Sequence, residues 1–139
     1  MKFNSQICTT RVQSERLLAL GLKKETADME IHSFKDDEQE TFETGYANKG
    51  YMEPEFAEIV DCFPAWSLHR LLCLLPDKTP YSDGYLTVEV INENVYIVLV
   101  IEDVEQRVLK YTKGNLYDNL ISCINFFVKE SLFNKEYLE

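Results

Sequence analysis

The stretch Val95-Tyr-Ile-Val-Leu-Val-Ile101 constrains this chain more than any other. It is the longest unbroken apolar run, β-branched or aromatic everywhere except Leu99, and such side chains fit a pleated, packed surface. A membrane span needs roughly 20 apolar residues, so the run predicts a central strand with both faces at least partly covered. On its N-terminal side, Leu86, Val88 and Val90 alternate with Thr87 and Glu89, a strand pattern, and Asn92-Glu-Asn94 supplies a turn. On its C-terminal side, Glu102-Asp103 predicts a second turn, and Val104 to Tyr111 returns as an edge strand with Gln106 and Lys110 toward the core.

Register follows from loop length, because a slip of one residue moves every side chain to the other face. A three-residue first loop without a bulge would set Leu86, Val88 and Val90 with Tyr96, Val98 and Val100, whereas two-residue loops place them on one face with Ile97, Leu99 and Ile101. The opposite face then carries Tyr96, Val98 and Val100 along its centre. Thr87, Glu89 and Ile91 flank them on one side, and Glu105, Arg107 and Leu109 on the other. Apolar residues at the centre with charges at the sides make Tyr96, Val98, Val100, Glu89 and Arg107 the candidate partner-binding residues. Cover by a helix of the same chain, or pairing with a second copy, are the competing expectations.

The helices announce themselves through their ends. Thr10 and Gln13 have capping-box spacing, and Gly21 follows the last periodic residue, so a helix is predicted over about 11–20 with Val12, Leu17, Leu18 and Leu20 on its apolar side. Ser67 suits an N-cap, with Trp66 positioned to staple against Leu71. Leu68, Leu71, Leu72 and Leu75 form a stripe that ends at Pro76. Asn115 caps the last helix, and Asp118 in its first turn complements the dipole. Leu116, Leu120, Ile121, Ile124, Phe127 and Val128 form a wide stripe for docking across the core face of the sheet, and Leu132, Phe133, Tyr137 and Leu138 predict a packed tail. Glu25 to Asp28 reads as a turn and Met29 to Phe34 as a short strand. Residues 52–62 are ambiguous, since Phe56, Ile59, Val60 and Phe63 have helical spacing. Together these elements predict one α+β domain over residues 1–139: a three-stranded antiparallel β-meander packed against a C-terminal helix, with N-terminal and central helices.

Charge is unevenly placed. The chain carries a formal −10, and between Glu30 and Asp61 ten acids face only Lys35 and Lys49. Within this segment, residues 36–55 are expected to be loose, because Gly45, Asn48 and Gly50 interrupt regular structure and acids dominate. Phosphate backbones repel such a surface, so nucleic-acid binding is not expected. The N-terminal residues carry no export-signal pattern. A cytoplasmic setting follows as the expectation, with no membrane association and with Cys8, Cys62, Cys73 and Cys123 reduced.

A metal site is the sharpest chemical possibility in the residue pattern. His69 and Cys73 are four apart, hence neighbours on one helix face, and Cys62 lies upstream; Cys8, His32 or an acid would complete a zinc set. The bland alternative is a boundary histidine beside a small core thiol. No C-x-x-C pair, G-x-S-x-G elbow, calcium loop or glycine-rich phosphate loop is present.

Three blocks taken together carry a resemblance. They are Cys8-Thr-Thr-Arg-Val-Gln-Ser-Glu-Arg-Leu-Leu-Ala-Leu-Gly-Leu22 through Thr26-Ala-Asp-Met29, Pro64-Ala-Trp-Ser-Leu68 with its Leu-Leu-Pro76 ending, and Asn115-Leu-Tyr-Asp118 through Phe133-Asn-Lys-Glu-Tyr-Leu138. The set resembles a family of small uncharacterised proteins of gut Bacteroidales bacteria, often found beside phage-like or mobile elements. The resemblance implies a bacterial, cytosolic setting and carries no activity and no site residues. The functional expectation is therefore a non-enzymatic protein-binding or regulatory module without cofactor, acting on an unknown protein partner or by self-association. The alternative is a small hydrolase or metal-dependent enzyme using His69 with a cysteine. A further one is an acidic inhibitor or nucleic-acid mimic.

Overall fold

A computed structural model of the chain describes residues 6–35, 41–49, 58–76, 84–92, 94–101 and 105–139. The fold class is α+β: helices accompany two three-stranded antiparallel sheets. The chain divides into two compact units, Met1–Arg70 and Leu71–Glu139.

The first unit opens with α1, Arg11–Ala19, and both halves of the expected capping box are made. The Gln13 amide donates to Thr10 Oγ1, and the Thr10 amide donates to Gln13 Oε1 at 3.0 Å. The helix closes as a Schellman turn. Gly21 takes a left-handed φ of 90°; its N–H reaches Leu18 O at 2.9 Å, and the Leu22 N–H reaches Leu17 O at 3.2 Å. Leu17 and Leu22 are fully buried. The expected apolar side is only partly the buried one, because Val12 is exposed while Gln13 and Ser14 are buried. The burial of Ser14 is explained by its hydroxyl, which meets Thr9 Oγ1 at 2.7 Å, and by the tendency of buried polar groups to be paired.

A 3-10 turn at Lys24–Thr26 leads to β1, Met29–Lys35, the central strand of a sheet ordered β2-β1-β3. Here β2 is Thr41–Asn48 and β3 is Glu58–Ala65. The first corrects the sequence reading, and the second decides a stretch that the sequence left ambiguous. The middle of the segment expected to be loose is a strand, because its backbone pairs antiparallel with β1 across the register Met29↔Asn48 to Lys35↔Thr41. The remainder of that segment, 36–40 and 50–55, lies outside the described residues, as does Phe56. Helical spacing at Ile59, Val60 and Phe63 gives way to pairing of β3 with β1 from Met29↔Ala65 to Lys35↔Glu58. Pro64 is tolerated because β3 lies at the sheet edge. Cys8, Met29, Ile31 and Ala65 form a buried cluster with Phe63 against it. From α1, Arg11 donates to Asp61 Oδ2 at 3.2 Å and to Ser33 Oγ at 3.3 Å, with its guanidinium 4.4 Å from the centre of the Phe63 ring.

Ser67 caps α2, Leu68–Leu74: its hydroxyl accepts from the Arg70 N–H at 3.1 Å and donates to Asp28. On α2, Leu71 and Leu74 are buried, whereas Leu72 of the expected stripe is exposed.

In the second unit, β4 (Tyr85–Ile91), β5 (Asn94–Ile101) and β6 (Glu105–Thr112) lie in that order, antiparallel throughout. Ile91 pairs with Asn94, so of the two loop lengths left open by the sequence the first loop has two residues, and Asn92 takes a left-handed φ of 49°. The second connection is longer than expected, since Ile101 pairs with Glu105. A bulge between Ile97 and Val98 then shifts the register again. The last helix, α3, Leu116–Lys129, lies against β5 and β6. The side chain of Asn115 caps it by accepting from the Tyr117 N–H at 2.9 Å. Leu120, Ile121, Ile124 and Phe127 are buried as expected, joined by Tyr117, Asn119 and Cys123. Its end repeats the Schellman pattern with Ser131, rather than glycine, at a left-handed φ of 58°. Phe133 of the tail is buried.

Candidate functional site

The first sheet assembles a cluster from separate stretches of sequence. Antiparallel pairing sets His32 directly opposite Cys62, and opposite residues share a sheet face. Glu30 lies two positions before His32 on β1, hence on that same face. His32 is buried, and its Nε2 lies 3.1 Å from Glu30 Oε2. One ligand atom from each of Glu30, His32 and Cys62 lies within 4.8 Å of the others. Glu30 is partly exposed and Cys62 is exposed, so the cluster reaches from the interior of the unit to its surface. Both residues line an open concavity of about 160 Å³ that Lys24, Lys49, Met29 and Pro64 help to form. The Phe34 and His32 rings meet in a T-shaped arrangement with centroids 6.1 Å apart.

Of the metal candidates seen in the sequence, the structure brings Cys62 into this cluster with His32 and Glu30. His69 and Cys73 are instead exposed on α2. His32 and an acid appeared in the sequence reading only as possible completing ligands. The signal that could have promoted them is the strand alternation of Met29 to Phe34, but their meeting with Cys62 depends on a register between strands about thirty residues apart.

The buried thiols differ from the exposed ones. Burial pushes the Cys8 thiol up to about 12, and the nearby Asp28 carboxylate adds to the shift. Burial likewise raises Cys123 to about 11, against the opposing pull of Lys110 and the Thr112 hydroxyl. Lys110 and Thr112 are in register with Ile97 and Val95, so Cys123 of α3 faces that side of the second sheet.

The opposite side of that sheet was the candidate partner face, and its make-up differs from expectation. Val98 and Val100 are buried, Tyr96 is half-buried and Glu89 is exposed. Arg107 is in register with Leu99 rather than with Val98, a correction caused by the longer connection between β5 and β6. Gln106, expected toward the core, is in register with Val100 for the same reason. Val108 and Tyr111 take the places opposite Val98 and Tyr96. The Tyr96 and Tyr111 rings lie 4.8 Å apart, and Ile91, Val108 and Tyr111 are 53%, 56% and 46% exposed. The sequence reading missed Val108 and Tyr111, which no local signal separates from Arg107 and Leu109 without the register.

No family model, curated protein or solved structure matches the chain. Among the described residues no helix is long and apolar enough to cross a membrane.

Proposed function

We propose that the chain is a non-enzymatic protein-binding module whose contact surface is the Ile91–Tyr96–Val108–Tyr111 patch of the second sheet, with Glu89 at its side. The observation that carries this reading is the patch itself. Ile91, Val108 and Tyr111 stay open to water beside the half-buried Tyr96, whose ring lies against that of Tyr111, on a sheet whose centre is buried. Tyrosine anchors recur at the energetic centres of protein interfaces, since they bring large area at small entropic loss. The β4–β5–β6 meander closed by α3 acts as the rigid platform that holds the patch in register. With a formal charge of −10, two copies repel one another, so the partner is a basic protein rather than a second copy. This reading fits the cytoplasmic, mobile-element setting that the sequence resemblance implies.

The test begins with crosslinked capture from the native host and is decided by reconstitution with the purified partner. Binding should weaken as salt is raised. The double change Val108→Thr with Tyr111→Ser should lower affinity at least about tenfold, while leaving the unfolding midpoint within error. Unchanged affinity in that variant would sink the assignment of the patch. A concentration-dependent dimer in light scattering, abolished by the same changes, would replace the basic partner with a second copy.

A further inference from the structure

We propose that Glu30, His32 and Cys62 form a zinc site with carboxylate, imidazole and thiolate ligands and a fourth position open to the adjoining concavity. The site lies in the first unit and is independent of the contact surface on the second sheet.

The donor set comes first. Oxygen-only ions such as magnesium and calcium gain little from a thiolate or an imidazole, whereas zinc takes sulfur, nitrogen and oxygen together. A thiolate and a carboxylate neutralise the charge of the ion, and the imidazole joins in its uncharged form. Geometry is close to what the ion needs. Bonds of about 2.0–2.3 Å in a tetrahedron set ligand atoms roughly 3.3–3.6 Å apart. His32 Nε2 and Glu30 Oε2 are at 3.1 Å already, so the main adjustment falls on Cys62. Closing its sulfur from the present limit of 4.8 Å takes a movement on the order of 1 Å, within the rotation of an exposed cysteine side chain.

The surroundings supply rigidity and access. His32 sits on the central strand, buried and flanked by Phe34, which restricts its ring to a narrow range of orientations. Glu30 and Cys62 open onto the concavity, and this is the route by which an ion reaches the imidazole. Three protein ligands with one open position define an exchangeable zinc site rather than a closed structural one. Lys24 and Lys49 on the concavity wall favour an anion or hydroxide as the fourth ligand.

The test uses the full chain, freed of metal by a chelator and titrated with Co²⁺. One equivalent should give the visible bands of tetrahedral cobalt and a near-ultraviolet thiolate-to-cobalt charge-transfer band, and Zn²⁺ should bleach both. Cys62→Ser should abolish the charge-transfer band, and Glu30→Gln should weaken binding. His69→Gln and Cys73→Ser should leave the spectrum unchanged. His32→Gln should also lose the site, but replacing a buried histidine perturbs folding, so the variants at Cys62 and Glu30 decide the matter. Zn²⁺ should raise the unfolding temperature of the parent and not of Cys62→Ser. A parent without the thiolate band, or a band that survives Cys62→Ser or vanishes in Cys73→Ser, overturns the proposal.

Discussion

Trp66→Ala is the perturbation whose cost follows most directly from the structure. Trp66 is fully buried directly after β3. Its backbone N–H donates to Thr9 Oγ1 at 2.9 Å, and its carbonyl accepts from the Thr9 N–H at 2.9 Å. The indole Nε1–H donates to Thr26 Oγ1 at 2.9 Å, and the Thr26 hydroxyl in turn donates a hydrogen bond to Lys23 O at 2.7 Å. Truncating a buried tryptophan to alanine costs about 3–5 kcal/mol through lost burial and the cavity left behind. Against a total stability of about 5–15 kcal/mol for an ordinary domain, the variant stands near the unfolding threshold. Trp66→Phe separates the contributions. It keeps an aromatic ring, and the Thr26 hydroxyl retains Lys23 O as an acceptor, so the expected loss is only about 1–2 kcal/mol. Thr26→Val does the reverse and strands a buried indole N–H, at about 1–3 kcal/mol. The double variant should cost less than the two single changes added together, because both remove the same hydrogen bond. Urea unfolding followed by far-ultraviolet circular dichroism measures the parent and the four variants. A loss below about 1 kcal/mol for Trp66→Ala, or parent emission typical of a water-exposed indole, would refute the reasoning.

Ser131 holds a left-handed φ of 58° at the end of α3, so Ser131→Gly should stabilise by about 0.5–1 kcal/mol, read as a shift of the urea midpoint. Thr10→Ala removes one arm of the α1 capping box and should cost about 1 kcal/mol by the same measurement. A chromogenic disulfide at pH 8 should label exposed Cys62 and Cys73 rapidly, with Cys8 and Cys123 reacting only after urea is added. The raised thiols also set an alkaline limit. Below about pH 9 the thiols are protonated in both states and stability is unaffected. Above it the unfolded chain releases protons that the folded chain keeps up to about 12 for Cys8 and about 11 for Cys123, so stability should fall with rising pH in that window, and less steeply in Cys123→Ala.

What the sequence determined by itself is local. The Thr10–Gln13 capping box, the Gly21 turn, and the Ser67 and Asn115 caps all involve groups a few residues apart. Their hydrogen bonds close short rings, so residue type at a fixed spacing is enough to read them. The strong run at Val95–Ile101 is legible for a related reason: its apolar content leaves a packed strand as the solution. Tertiary structure decided the rest. Thr41–Asn48 and Glu58–Ala65 become strands because β1 offers them hydrogen-bond partners that outweigh their weak local preferences. The longer connection after Ile101 and the bulge between Ile97 and Val98 set Arg107 in register with Leu99 and bring Val108 and Tyr111 beside Val98 and Tyr96. Glu30, His32 and Cys62 meet through pairing across about thirty residues, where one step of slip would turn Cys62 to the opposite face. A sheet register is fixed jointly by both strands and by everything packed on them, and no single stretch of either strand contains that information.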